Sequence, residues 1–293
     1  MKTRIAAAIG CSLIFLVPTI TYGISAQWDL DPISGDWNTA VNWTPDEVPN
    51  GPADIATFGL SHTTDVSISA NTEVNSIIFT PAATNPYTIT VNDGVTLTLS
   101  GTGITNNSGG AQEFVVGSFD NTEPAQIHFT HGATAGNATI ELASSENARN
   151  SVQFSNRSTA GSATIITGDT SSISFFNRST AGSATIREGF ASSIDFFDHS
   201  TAGSALIVNG GVAYNFTTFH DNSTAGSATI YIVDYSHLSF SDHSSAGTAT
   251  IFCTLFSSVE FSHFSTAGQR DYSPQLRDRH RVCRFFPRWH MCN

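Results

Sequence analysis

Ile173-Ser174-Phe175-Phe176-Asn177-Arg178-Ser179-Thr180-Ala181-Gly182-Ser183-Ala184-Thr185-Ile186 holds two alternating apolar runs around a corner of small residues. Alternation with a period of two is the mark of a strand with one buried face. The corner recurs: a Thr/Ser-Ala-Gly tripeptide ends at Gly136, Gly161, Gly182, Gly203, Gly226, Gly247 and Gly268. Seven places before each glycine stands a phenylalanine: Phe129, Phe154, Phe175, Phe196, Phe219, Phe240 and Phe261. Nine places before it the column reads Ile127, Val152, Ile173, Ile194, Thr217, Leu238 and Val259, with Thr217 its one polar member. In the first six copies, alanine lies two places after the glycine (Ala138 to Ala249) and isoleucine four places after it (Ile140 to Ile251).

Each copy therefore predicts two strands, Ile-x-Phe and Ala-Thr-Ile, with a variable segment such as Thr167-Gly168-Asp169-Thr170 closing the coil. A propeller blade needs roughly 40 residues. A repeat of about 21 residues fits one turn of an all-β parallel β-helix, a solenoid whose coils stack ~4.8 Å apart. Stacking sets Phe on Phe, Ile on Ile and Ala on Ala. The corner glycine supplies a bend that a side chain would obstruct.

Outside the regular array, 126–268, the chain divides into four parts. Residues 1–26 read as a secretory signal peptide: Lys2 and Arg4 precede the apolar run Ile5–Ile20, and small residues suggest cleavage before Gln27. Residues 27–54, with Trp28, Trp37 and Trp43, read as the cap that a solenoid end requires. Residues 55–125 read as imperfect coils, from Val66/Ile68, Ile77/Phe79, Tyr87/Ile89/Val91 and Val95/Leu97/Leu99, with a tight turn at Asn92-Asp93-Gly94. Residues 269–293 abandon the repeat for a segment rich in Arg, His, Pro and Cys, which reads either as a genuine basic C-terminal extension or as an out-of-frame, disordered tail that truncates a longer chain.

Charge narrows the function. Between Gln27 and Gly268 four arginines face 22 acidic residues, a net of about −18, which argues against nucleic acid or anionic lipid as partner. Only Cys253 lies in that body, so a disulfide framework does not organise it. No apolar stretch after the signal predicts a membrane span.

Gly35-Asp36-Trp37-Asn38-Thr39-Ala40-Val41-Asn42-Trp43, Pro49-Asn50-Gly51, Ala56-Thr57-Phe58, Gly101-Thr102-Gly103-Ile104-Thr105-Asn106-Asn107-Ser108 and the Ser-Thr-Ala-Gly-Ser-Ala-Thr-Ile repeats resemble bacterial autotransporter-type passenger proteins. The resemblance spans about Trp28 to Gly268. It implies a right-handed parallel β-helix exported to the surface of a Gram-negative-like cell, commonly ahead of a C-terminal β-barrel. The sequence after Gly268 does not show that barrel, which leaves self-translocation and anchoring without a visible device.

β-Helices also host polysaccharide lyases and hydrolases, so candidate chemistry needs weighing. Asp198, Asp221 and Asp242 share a column five places before the glycine with His131, Asn156, Asn177 and His263. The column reads either as a catalytic or cation-binding row or as an Asn/Asp turn ladder in which short side chains cap their own backbone. Elimination wants a cationic base, and the body offers Arg149, Arg157, Arg178 and Arg187. His199 and His243 share a column without Cys or Glu at ligand spacing, and the calcium-binding nonapeptide, nucleophile elbow and phosphate loop are all missing, so no metal or cofactor is expected. Trp37 and Trp43 serve either sugar stacking or cap packing. Outward residues one and three places after the glycine, such as Ser183 and Thr185, form a hydroxyl grid that suits water or ice ordering, interrupted at Leu206.

The expectation is an extracellular structural or adhesive solenoid without catalytic activity. Its expected partners are surface glycans, a host or cell-surface molecule, or its own end-to-end copies. A carbohydrate-active β-helix enzyme is the alternative.

Overall fold

The structure is a computed structural model, described here for residues 23–210, 214–254 and 256–268. It is all-β apart from a single 3-10 turn at Ala40–Asn42 among the described residues. From Gly51–Phe58 onward, strands alternate between two sheets that run the length of a parallel β-solenoid. The longer sheet has 12 strands, and its repeat members are the Ile-x-Phe strands, such as Ser172–Phe175 and Ser193–Phe196. The shorter has nine, and its repeat members are the Ala-Thr-Ile strands, such as Thr164–Thr167 and Leu206–Asn209. A third side is only one residue wide: Thr134, Thr159, Thr180, Thr201, Thr224, Ser245 and Thr266 form consecutive parallel bridges.

Register through the repeat is set by the side-chain columns. Phe154 lies opposite Phe129 and Phe175, and Phe196 opposite Phe175 and Phe219. Slipping by one residue would turn the whole apolar set outward. Neighbouring phenylalanine rings from Phe129 to Phe261 stack 4.5–4.8 Å apart and within 8° of parallel. The ladder starts at Phe129 because its partner in the coil before is Leu99. Each buried Phe or Ile stabilises the stack by ~1.5–3 kcal/mol. Opposite the phenylalanines, the cross-section narrows to alanines that are fully buried from Ala135 and Ala138 to Ala225 and Ala228.

The longer spacings of the repeat fall in the variable corner and leave the ladders untouched. Leu142 still pairs with Thr167, and Ser151 with Ser172. The alternating residues expected between 55 and 125 all point inward, and the most exposed of them, Val95, is at 7 %. Asn92-Asp93-Gly94 makes a corner between the two sheets, with Gly94 at φ 72 and Val95 N–H donating to the Asn92 carbonyl at 3.1 Å.

Two boundaries drawn from the sequence cut through strands. Gly51–Phe58 crosses the line between 54 and 55. Ser25–Trp28 crosses the line between 26 and 27, pairing with Ile55–Thr57 and burying Ala26. Of the stretch 1–26 read as a signal peptide, residues 1–22 lie outside the described residues, as does the basic tail 269–293.

Candidate functional site

The aspartate column sits at the corner that follows each Ile-x-Phe strand. Asn156, Asn177, Asp198, Asp221 and Asp242 all hold left-handed backbone, with φ between 54 and 59. Asn and Asp tolerate that region better than other side-chain-bearing residues. Each side chain then reaches the coil before it. Asn177 Oδ1 accepts the Asn156 N–H at 3.1 Å, Asp198 Oδ2 the Asn177 N–H at 2.8 Å and Asp221 Oδ2 the Asp198 N–H at 2.9 Å. Asp242 Oδ2 accepts the Asp221 N–H at 3.3 Å, and this bond holds the half-buried Asp242 carboxyl below its usual range. The column is therefore a turn ladder, but it caps the neighbouring coil's backbone and not its own. A general acid needs a carboxyl shifted the other way from that of Asp242.

The histidines divide. Exposed His199 and His243 share a corner column with Arg157 and Arg178, and His243 stacks on Phe264 at 5.2 Å. His220 lies on the outer face of the longer sheet, stacked on Phe197 at 4.6 Å. Its Nε2 is 3.6 Å from Asp195 Oδ1 and its Nδ1 3.4 Å from Ser241 Oγ. The order Asp, His, Ser is that of a nucleophilic triad, and sequence spacing did not reveal it. Both separations are longer than a working hydrogen bond. The Ser241 hydroxyl also has the Phe219 carbonyl at 3.3 Å, the same inter-coil bond that Ser262 makes to Phe240. Beside it, His237 contacts Glu260 at 3.7 Å and bonds Ser258. Among the described residues, no three His, Cys, Asp or Glu side chains gather as a metal site.

The hydroxyl grid is half committed. Ser162, Ser183, Ser204 and Ser227 each donate to the carbonyl of the previous coil's glycine at 3.3 Å. That leaves the Thr139, Thr164, Thr185 column, broken at Leu206, facing solvent. At the N-terminal end Trp28, Trp37 and Trp43 are fully buried around Phe58, with Trp37 and Trp43 rings 4.8 Å apart. They are cap packing, and their faces are closed to a sugar. Nearby, Gln27, Asp29, Leu30, Asp31 and Thr44 line an open depression of about 530 Å³.

A polar cluster inside the solenoid is the least expected feature. Six places after the glycine the side chain points inward, and the column runs Leu142, Thr167, Glu188, Asn209, Ile232. Glu188 is 5 % exposed, and Asn209 and Thr217 are fully buried. Asn209 Nδ2 donates to Thr217 Oγ1 across the lumen at 3.1 Å and to the His237 carbonyl at 3.2 Å. Thr217, the polar exception in the aliphatic column, is thus matched by polar residues from two coils. Both Glu188 oxygens and Asn209 Oδ1 lack a well-formed hydrogen bond. Burial pushes the Glu188 carboxyl well above its usual range, and the Asp195 charge adds to this while the Thr217 hydroxyl offsets part of it. The folded chain thus keeps a proton there that the unfolded chain releases above about pH 4.5. This cluster's contribution to stability is complete below that pH and falls by about 1.4 kcal/mol per pH unit until Glu188 ionises in the fold. Glu188→Leu, matching Leu142 in its column, should remove that slope in urea melts across pH 5–9; parallel profiles for the two proteins would contradict it.

No family model, curated protein or solved structure matches the chain.

Proposed function

We propose that the chain is an extracellular structural or adhesive β-solenoid, a passenger-like module exported by its N-terminal leader and without catalytic activity. The observation that carries this reading is the aspartate ladder. The stacked carboxylates of Asp198, Asp221 and Asp242 are spent on bonding coil to coil, in a left-handed turn that the repeat imposes at every step. No helix among the described residues is long and apolar enough to cross a membrane. The strongly acidic body and long, flat outer faces suit contact with neutral surface glycans or a protein receptor better than with polyanions.

A panel of neutral and acidic polysaccharides tests the reading, with Asp198→Ala beside the parent. The expected result is no cleavage by either protein, and a loss of ~0.5–1.5 kcal/mol in Asp198→Ala as the Asn177 N–H loses its cap. Cleavage by the parent that disappears in Asp198→Ala or Asp221→Ala would replace the structural reading with the carbohydrate-active one.

A further inference from the structure

The geometry points to Gly23–Ile24 as the bond at which the leader is removed, freeing an Ile24 α-ammonium that pairs with buried Asp54 and fastens the N-terminal cap. The inference rests on the export reading for the leader itself, and on the folded cap for the position of the cut.

Ile24 belongs to the fold. Its carbonyl accepts the Ile55 N–H at 2.8 Å, its side chain packs on the core, and the strand Ser25–Trp28 follows at once. Cleavage before Gln27 would remove Ser25 and Ala26, half of that strand, together with their pairing to Ile55 and Ala56. It would also place Ile24 three residues before the cut, where leader peptidases require a small side chain. Thr21 and Gly23 supply small residues at the two recognition positions for a cut three residues earlier.

What the new terminus meets is already in place. The Ile24 backbone nitrogen lies 2.7 Å from Asp54 Oδ1. Asp54 is 6 % exposed, and its Oδ2 accepts the Asn50 N–H at 3.0 Å. The Pro49–Ala53 segment wraps this carboxylate closely enough that a Cβ on Gly51 would sit 3.1 Å from Asp54 Oδ2. In the uncut chain a buried carboxylate therefore has only neutral N–H donors at these two contacts. Hydrolysis puts the hydroxyl of water on the Gly23 carbonyl carbon and its hydrogen on the Ile24 nitrogen, which takes a further proton from solvent. The same nitrogen at the same distance then carries a positive charge, and a neutral hydrogen bond becomes a charge-assisted one.

The experiment has two arms. N-terminal sequencing of the exported protein should read Ile24-Ser25-Ala26-Gln27-Trp28; any other start on an exported chain overturns the cut site while leaving export standing. Absence of both export and cleavage defeats the leader reading, and the second arm still decides the ion pair. There, the chain beginning at Ile24 is compared with one retaining Tyr22 and Gly23, each with and without Asp54→Asn. Asp54→Asn should lower the folding constant of the Ile24 chain roughly tenfold more than that of the retained chain. Equal effects in both backgrounds overturn the pair. Should Asp54→Asn not fold, acetylating the Ile24 amine in the parent reads the same charge: a fall in stability supports the pair and no change overturns it.

Discussion

Replacing Phe196 with alanine should destabilise the chain by ~3–5 kcal/mol, the cost of emptying a large buried site whose walls relax only in part. The ring lies fully buried between Phe175 at 4.6 Å and Phe219 at 4.5 Å. Both neighbours are fixed in register by the strands that carry them, so neither can move in to fill the gap without breaking ladder bonds. Thr185, which faces solvent from the other sheet, should lose well under about 1 kcal/mol on the same replacement. Coils touch mainly their neighbours, so the loss in Phe196→Ala should be local. Hydrogen exchange should accelerate first in Ser172–Phe175 and Phe216–Phe219 and least at the tryptophan cap. Similar costs at Phe196 and Thr185 would overturn the assignment of inner and outer faces.

The columns from which that prediction starts are legible in the amino-acid sequence alone, and the reason is mechanical. A stack of equivalent coils repeats each environment once per turn, so Phe, Ile, Ala and Gly recur wherever one environment recurs. The third side and the polar lumen were not legible in the same way. Thr180 and its equivalents bridge one residue per coil, which leaves no alternation to detect. Their hydroxyls accept the N–H of the glycine two places on, as Thr180 does from Gly182 at 2.9 Å, a local motif that any loop could contain. Ser158, Ser179, Ser200 and Ser244 are fully buried, although serine is usually a surface residue. Their small volume is what the tapered corner selects.

Glu188 and Asn209 escaped for a different reason. They stand where the Ala-Thr-Ile strand runs into the variable segment, and their column changes from Leu to Thr to Glu to Asn to Ile without a constant property. The signal that existed was Thr217, a lone polar residue in an inward column. A polar group in an apolar lumen needs a partner, and that rule alone directs attention to the facing column. The aspartate ladder was legible as turn chemistry, but its direction was not, since spacing cannot tell a side chain that caps its own turn from one that reaches the coil before.

Gly203→Ala tests the close approach of one coil to the next and should cost about 2–5 kcal/mol. Two independent penalties add. Gly203 holds φ 62, left-handed backbone that costs a side-chain-bearing residue roughly 1–2 kcal/mol. A Cβ there would also lie 2.5 Å from the Gly182 carbonyl oxygen and 3.0 Å from Thr180 Oγ1. Neither atom is free to withdraw: the Gly182 oxygen accepts the Ser204 N–H at 2.8 Å, and Thr180 Oγ1 accepts the Gly182 N–H at 2.9 Å. Forcing the extra carbon between them is overpacking of a close-packed seam, worth a further ~1–3 kcal/mol. The contact propagates, because Gly226 approaches the Gly203 carbonyl as closely as Gly203 approaches that of Gly182. Gly132 provides the control. A Cβ added there would meet nothing within 4 Å, and its φ is outside the left-handed region, so Gly132→Ala should stay within about 0.5 kcal/mol of the parent. Chemical denaturation of the two variants side by side decides it. If Gly203→Ala melts with Gly132→Ala, the coils are not packed through this corner, and the repeat's glycine must be explained by something other than the close approach of one coil to the next.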